Sequence, residues 1–146
     1  MPTMIPGLRS PYETVGGLVY FGRMLDKIRL HAEGKLPDEW VSCLGPAHAT
    51  TFDARCCRFL GIDYPDLVSE TRKGGGDDDL LEWAFANGRR TGEEEIEIWN
   101  AFMTKRGWRD AGTETLHKRL AEIGLPPGTV ETMFEFLDLD EGRSGA

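Results

Sequence analysis

The sequence predicts an all-α fold in which six to seven helices form one compact orthogonal bundle. Apolar residues recur at spacings of three and four, as on one face of a helix. Capping residues and glycines interrupt the chain at intervals of helix length, and no segment shows the period-two alternation of a half-buried strand. A chain of 146 residues can bury a core without disulfides or metal. We therefore expect a single helical domain over residues 1–146, with flexible ends at 1–9 and 141–146.

The first predicted helix begins at the segment Ser10-Pro11-Tyr12-Glu13. Serine followed by proline, with glutamate three residues after the serine, is the pattern of a capping box with proline in the first turn. We expect this helix to run to about Ala32. Each glycine inside it costs about 1 kcal/mol relative to alanine. The three glycines in this segment are Gly16, Gly17 and Gly22. They indicate that another backbone approaches the helix closely, or that the helix starts nearer Gly17.

The rest of the chain divides into shorter helices, each placed by a capping residue or a glycine. A helical turn is expected at Pro37–Ser42, followed by a loop over residues 43–50. The further helices begin at Thr50 or Thr51, Asp63, Asp77 or Asp78, and Thr91, then near Leu116 and after Thr129.

Composition excludes some classes of function. The formal net charge is −8, from 25 acidic and 17 basic residues. A nucleic-acid-binding surface needs a basic face to displace counterions, so we expect no nucleic-acid partner. No apolar run reaches the roughly 18 residues that a membrane span needs, and the first residues lack the pattern of a signal peptide. We therefore expect a cytoplasmic protein without a membrane partner.

The three cysteines do not predict a disulfide framework. Their number is odd, and Cys56 and Cys57 are adjacent, so they cannot bridge to each other without strain. We expect reduced, partly buried thiols. A redox role for Cys56 and Cys57 is the alternative, although the CxxC spacing is missing. The histidines are scattered without paired ligand spacing, so we predict no metal and no cofactor.

The candidate functional residues lie on the first helix. Its apolar stripe leads to Asp26, and a carboxylate on an apolar stripe is costly unless it is paired. The nearest local bases are Arg23, Lys27 and Arg29. Asp53, with the arginines that follow it, could join this group if its helix packs against the first one.

Two interpretations of Arg23, Asp26, Lys27, Arg29 and Asp53 stay open at this point. In the first, an excess of positive charge forms a pocket for the carboxylate or phosphate of a small anionic ligand, with Asp26 holding the arginine side chains in place. In the second, the same residues form a structural ion-pair network. The sequence does not decide between them, because the partners of Asp26 depend on packing.

Three segments resemble a known family. They are SPYETVGGLVYFGRMLDKIRLHAEGKLP, FLGID and DDDLLEWAF, and they resemble a bacterial domain-of-unknown-function family (number 5069) of small helical proteins. The resemblance covers roughly residues 8–110. The Cys56-Cys57 pair and the triple glycine at 74–76 depart from the commoner pattern. The resemblance implies one cytoplasmic domain and brings no catalytic residue with it.

Three functional hypotheses follow. The first is a non-enzymatic structural or interaction module that forms a homo-oligomer, most simply a homodimer. The second is a small-molecule or anion-binding domain that uses the charged pocket on the first helix. The third is an enzyme of unidentified class, for which no catalytic residue can be selected, because acid–base pairs depend on geometry.

Overall fold

The computed structural model describes residues 4–143. Over this range the chain is mostly helical with one small two-stranded sheet, so the all-α prediction is right in outline. The orthogonal arrangement of the helices stays a prediction. The flexibility predicted for residues 1–3 and 144–146 lies outside the described residues.

Most helices lie where the capping signals place them. Thr51 caps α2, its hydroxyl accepting a hydrogen bond from the Ala54 amide. The last helix begins later than predicted, because Thr132 and not Thr129 forms its capping box, with Glu135. None of the described helices is long and apolar enough to cross a bilayer. The elements are β1 Thr14–Val15, β2 Leu18–Val19, α1 Phe21–Ala32, 3-10 segments Asp38–Cys43 and Gly45–Ala47, α2 Phe52–Leu60, α3 Tyr64–Thr71, α4 Asp77–Asn87, α5 Glu93–Lys105, α6 Thr113–Glu122 and α7 Met133–Asp140.

The predicted first helix is wrong over about its first half, up to Tyr20, where the chain forms a turn and a β-hairpin. Strands β1 and β2 pair antiparallel, with Val15 opposite Leu18. Gly16 and Gly17 connect them with φ angles of 57° and 83°. Two positive φ angles in a two-residue loop are typical of the turn that matches strand twist, and this turn favours glycine at both positions. The same two angles exclude a right-handed helix through this point.

One of the two predicted capping-box contacts forms, between Glu13 and the Ser10 amide, but around a turn. The Glu13 carboxylate accepts a hydrogen bond from the Ser10 amide at 3.3 Å, and the Ser10 hydroxyl accepts one from the Tyr12 amide at 3.2 Å. The helix itself begins at Phe21. Capping chemistry satisfies free amides at any chain reversal, so the pattern was identified correctly and its structural context was not.

Helix α1 is the central element of the core. It is buried from Phe21 to Ile28 and packs against α3 and β1. The N-terminal segment, expected to be flexible, covers the far end of α1, because Ile5 and Leu8 are buried in a cluster with Leu30. This cluster places the neighbouring Arg9 beside α1, where the charged residues lie.

The ends of α2 and α4 approach so closely that Gly88 has no room for a side chain. A Cβ at this position would overlap the carbonyl oxygen of Leu60, which accepts a hydrogen bond from the Arg89 amide at 2.9 Å. The replacement Gly88→Ala must therefore displace backbone and not only a side chain.

We expect Gly88→Ala to lower the free energy of unfolding by about 1–3 kcal/mol, the usual range for overpacking. The control is Gly75→Ala, where the nearest atom, Asp79 Cβ, is 3.8 Å from the new methyl group. Urea denaturation of both variants checks this. Equal midpoints for the two variants would show that the contact between α2 and α4 tolerates a methyl group.

Candidate functional site

Asp26 pairs mainly with an arginine outside its own helix. Arg9 binds both carboxylate oxygens, through Nε at 2.8 Å and Nη2 at 3.0 Å, and its backbone amide adds a third hydrogen bond. Nη1 of Arg29 lies 3.6 Å from Oδ1 of Asp26, as the helical spacing predicts. Arg23 and Lys27, the other two expected partners, point to different carboxylates. The predicted local cluster is therefore wrong in two of its three pairings.

Asp77, at the start of α4, extends this pairing to a second helix. Its two oxygens accept hydrogen bonds from Arg9 and Arg29, each at 2.9 Å. Burial alone would raise the pKa of Asp77, but the two guanidinium groups outweigh it, and the pKa is lowered from its ordinary 3.8. The contribution of Asp77 to stability is therefore present above that value and is lost as pH falls through the lowered pKa.

Arg23 pairs with a residue of the C-terminal segment. Its Nη2 lies 2.5 Å from Oε2 of Glu141, and both side chains are almost completely buried. Arg143 binds the same carboxylate. Glu141 and Arg143 belong to the stretch predicted to be flexible, and their side chains here pack against the first helix and the N-terminal segment. No local sequence pattern connects Arg23 with Glu141.

Lys27 and Asp53 form a buried triad with Tyr20. The Lys27 ammonium lies 2.7 Å from Asp53 Oδ1 and donates to the Tyr20 hydroxyl, which in turn donates to Asp53 at 2.6 Å. The Gly45 amide satisfies the second oxygen of Asp53. Asp53 thus meets the first helix, as the sequence suggested. Burial raises the pKa of Tyr20 far above 10, so its hydroxyl stays protonated.

All five candidate residues are therefore bonded to other residues of the chain, and none of them lines either of two cavities on the described part of the chain. A cavity of about 370 Å³ is lined by Cys57, Arg58 and Tyr64, and another of about 260 Å³ by Trp108, Arg109 and His117. The geometry favours the structural ion-pair interpretation. A ligand role for Arg23, Asp26, Lys27, Arg29 and Asp53 stays a prediction.

The sequence did not single out two surface features that the fold creates. One is the outer face of α5, which exposes Glu94, Ile98, Ala101, Phe102 and Lys105. Their spacing of three and four residues, with polar ends, could have indicated a partner surface, but a buried stripe of the same helix gave the stronger signal.

The other feature is an arginine cluster formed by Arg55, Arg58 and Arg106. Arg55 and Arg106 place their guanidinium carbons 5.4 and 5.6 Å from the centre of the Phe102 ring. The sequence suggested that Arg55 and Arg58 could lie near the first helix. The structure instead brings Arg55 to the end of α5, which no local pattern indicates.

Comparison with known proteins places the chain in a family. The model of the family described as Domain of unknown function (DUF5069) matches residues 5–143. The chain belongs to the DUF5069 family. This confirms the resemblance stated above and extends it to almost the whole chain. No match was found among curated proteins.

The buried triad gives a stability prediction. Asp53→Asn leaves the Lys27 charge buried without a partner, so we expect the free energy of unfolding to fall by about 3–5 kcal/mol. Replacing Lys27 as well, in Lys27→Met/Asp53→Asn, should recover part of that loss because the orphaned charge is removed.

The control for the triad is Asp78→Asn, an exposed position that should change stability by only about 0.5 kcal/mol. Chemical denaturation of the three variants and the parent protein tests the pairing. A double variant no more stable than Asp53→Asn would show that Lys27 is not the group that Asp53 stabilises.

The thiols give a second prediction. Cys43 is exposed, whereas Cys56 and Cys57 are buried, and burial raises the pKa of Cys57 to about 12. Thiolate is the reactive form, so one thiol should react quickly with a disulfide reagent in the native protein and three in denaturant. Cys43→Ser should abolish the fast phase. A fast phase that persists in Cys43→Ser would show that Cys56 or Cys57 is the reactive thiol and would favour the redox alternative.

Proposed function

We propose that this protein is a non-enzymatic interaction module that forms a homodimer through the outer face of α5. The observation that carries the proposal is the self-complementary character of this face, which is apolar at its centre and oppositely charged at its two ends. We place the module in the cytoplasm, where the three thiols remain reduced.

The centre of the face consists of exposed apolar side chains. Ile98 is 63% exposed and Phe102 39% exposed, and Ala101 lies between them on the same side of the helix. Trp99 and Met103 on the opposite side are buried in the core. Helix α5 therefore presents a second apolar surface that its own fold does not cover.

The ends of the face carry opposite charges. Glu94 lies in the first turn of α5 and Lys105 in the last, about 16 Å apart at the rise of an α-helix. Neither side chain has an ion-pair partner within residues 4–143. Both charges are thus available to a second molecule.

A two-fold axis through the middle of α5 pairs each charged end of the face with the oppositely charged end of the second copy, and it brings the two apolar centres together. Two copies of α5 then run antiparallel, with Glu94 of each copy beside Lys105 of the other and Ile98 beside Phe102. One helix pair is small compared with the roughly 1,200–2,000 Å² that a stable interface buries, so the dimer should be reversible.

Charge reversal tests this arrangement. Glu94→Lys and Lys105→Glu should each abolish dimerisation, because each places like charges at both ends of the helix pair. The double variant Glu94→Lys/Lys105→Glu should dimerise again, and an equimolar mixture of the two single variants should form heterodimers. Sedimentation velocity over a concentration series measures all four.

The matched control is the exposed pair Glu114 and Lys118 on α6, four residues apart. Reversing either charge changes the net charge by the same amount without touching α5, and should leave dimerisation unchanged. A parent protein that stays monomeric at high concentration refutes the proposal. Dimers that persist in Ile98→Ser and in both single charge variants would place the interface elsewhere.

A further inference from the structure

The arginine cluster points to a second binding site, which adjoins the face proposed for the dimer and shares Phe102 with it. Arg55 and Arg58 belong to α2, and Arg106 follows the last residue of α5. The cluster forms where these two helices meet, in a chain whose net charge is −8. Arg58 lies one turn after Arg55 on α2, and its Nη2 donates a hydrogen bond to the Ala49 carbonyl oxygen, so it contributes mainly charge to the cluster.

The Phe102 ring holds two of the guanidinium groups in place. Arg55 and Arg106 both lie within cation–π distance of its centre, at 5.4 and 5.6 Å. Two like charges beside one ring repel each other, and the ring offsets only part of that repulsion. Their side chains are nevertheless packed and not free in solvent, since Arg55 and Arg106 are both partly buried.

Arg55 has no carboxylate partner among residues 4–143. Its Nε is buried without a hydrogen-bond acceptor in this range. Burial lowers the pKa of Arg55, and the charges of Arg106 and Arg58 lower it further, against a smaller opposing effect of Asp110. A buried donor without an acceptor destabilises the protein unless an ordered water or a ligand supplies one.

The carboxylate that offsets part of this charge, Asp110, is already engaged. Asp110 accepts hydrogen bonds from the backbone amides of Gly107 and Gly112, and its Oδ2 lies 3.6 Å from Nη1 of Arg106. It holds the turn between α5 and α6. Asp110 therefore offsets only part of the positive charge around Arg55.

We infer that Arg55, Arg58 and Arg106 bind a phosphate group, free or carried by a small metabolite. Guanidinium groups bind phosphate through paired hydrogen bonds, and a phosphate monoester carries a charge of about −1.5 to −2 at neutral pH that would offset the remaining positive charge. Phe102, 39% exposed, adds a surface on which an attached aromatic group can stack.

Isothermal titration with inorganic phosphate, at low ionic strength, tests the site. We expect saturable binding to the parent protein and at least tenfold weaker binding to Arg55→Gln. The control Arg72→Gln removes the same charge from an exposed position at the end of α3 and should bind as the parent does. Equal affinity in the two variants, or no saturable binding to the parent protein, would overturn the inference.

Thermal unfolding separates ligand binding from a structural role of Arg55. Phosphate should raise the Tm of the parent protein and of Arg72→Gln, but not that of Arg55→Gln. Without phosphate, Arg55→Gln should unfold at or above the Tm of the parent, because it relieves repulsion. A lower Tm without phosphate, together with an unchanged response to phosphate, would make Arg55 a structural residue and refute the site.

Two further ligands define the chemistry. Phenyl phosphate binding more tightly than inorganic phosphate would support a phosphate monoester with an aromatic group, whereas equal binding would support free phosphate. Acetate binding as tightly as phosphate would overturn the assignment to phosphate. Because Phe102 also lies on the α5 face, all titrations are repeated with Ile98→Ser, so loss of dimerisation and loss of binding are measured separately.

Discussion

The charges buried along α1 must each meet an opposite charge, and this requirement connects α1 with the rest of the fold. The partners come from four separate parts of the chain: Arg9 before the hairpin, Asp53 on α2, Asp77 on α4 and Glu141 after α7. Removing one member of a buried pair costs far more than the pair itself contributes. The network therefore acts mainly as a constraint on which segments can pack around α1.

This constraint gives the charged residues that the sequence singled out a structural role. The charged residues of α1 are paired with Arg9, Asp53, Asp77 and Glu141, so both proposals use groups on the surface instead. Helix α5 contributes to both proposals. Its outer face offers an apolar centre with opposite charges at the ends, and its last turn places Phe102 beside Arg55 and Arg106.

The candidate site could be predicted only in part. Helical spacing was enough to place Arg29 near Asp26, and an apolar helix carrying Asp53 was enough to suggest its contact with α1. The pairing of Arg23 with Glu141 could not be predicted, since it joins residues from opposite ends of the chain that share no local pattern. The cluster of Arg55 and Arg106 could not be predicted either, because it forms only where α2 packs against α5.

The sequence by itself determined most helix positions, because caps and glycines act within a few residues. Thr51 and Gly61 bound α2 in this way. It also contained the hairpin signal, Gly16-Gly17, which the neighbouring capping pattern obscured. Only the tertiary structure decided the partners of the buried charges. Many bases could neutralise Asp26, and the selection of Arg9 depends on Ile5 and Leu8 packing beside Leu30. That choice rests on the burial of apolar surface between distant segments, which local sequence does not encode.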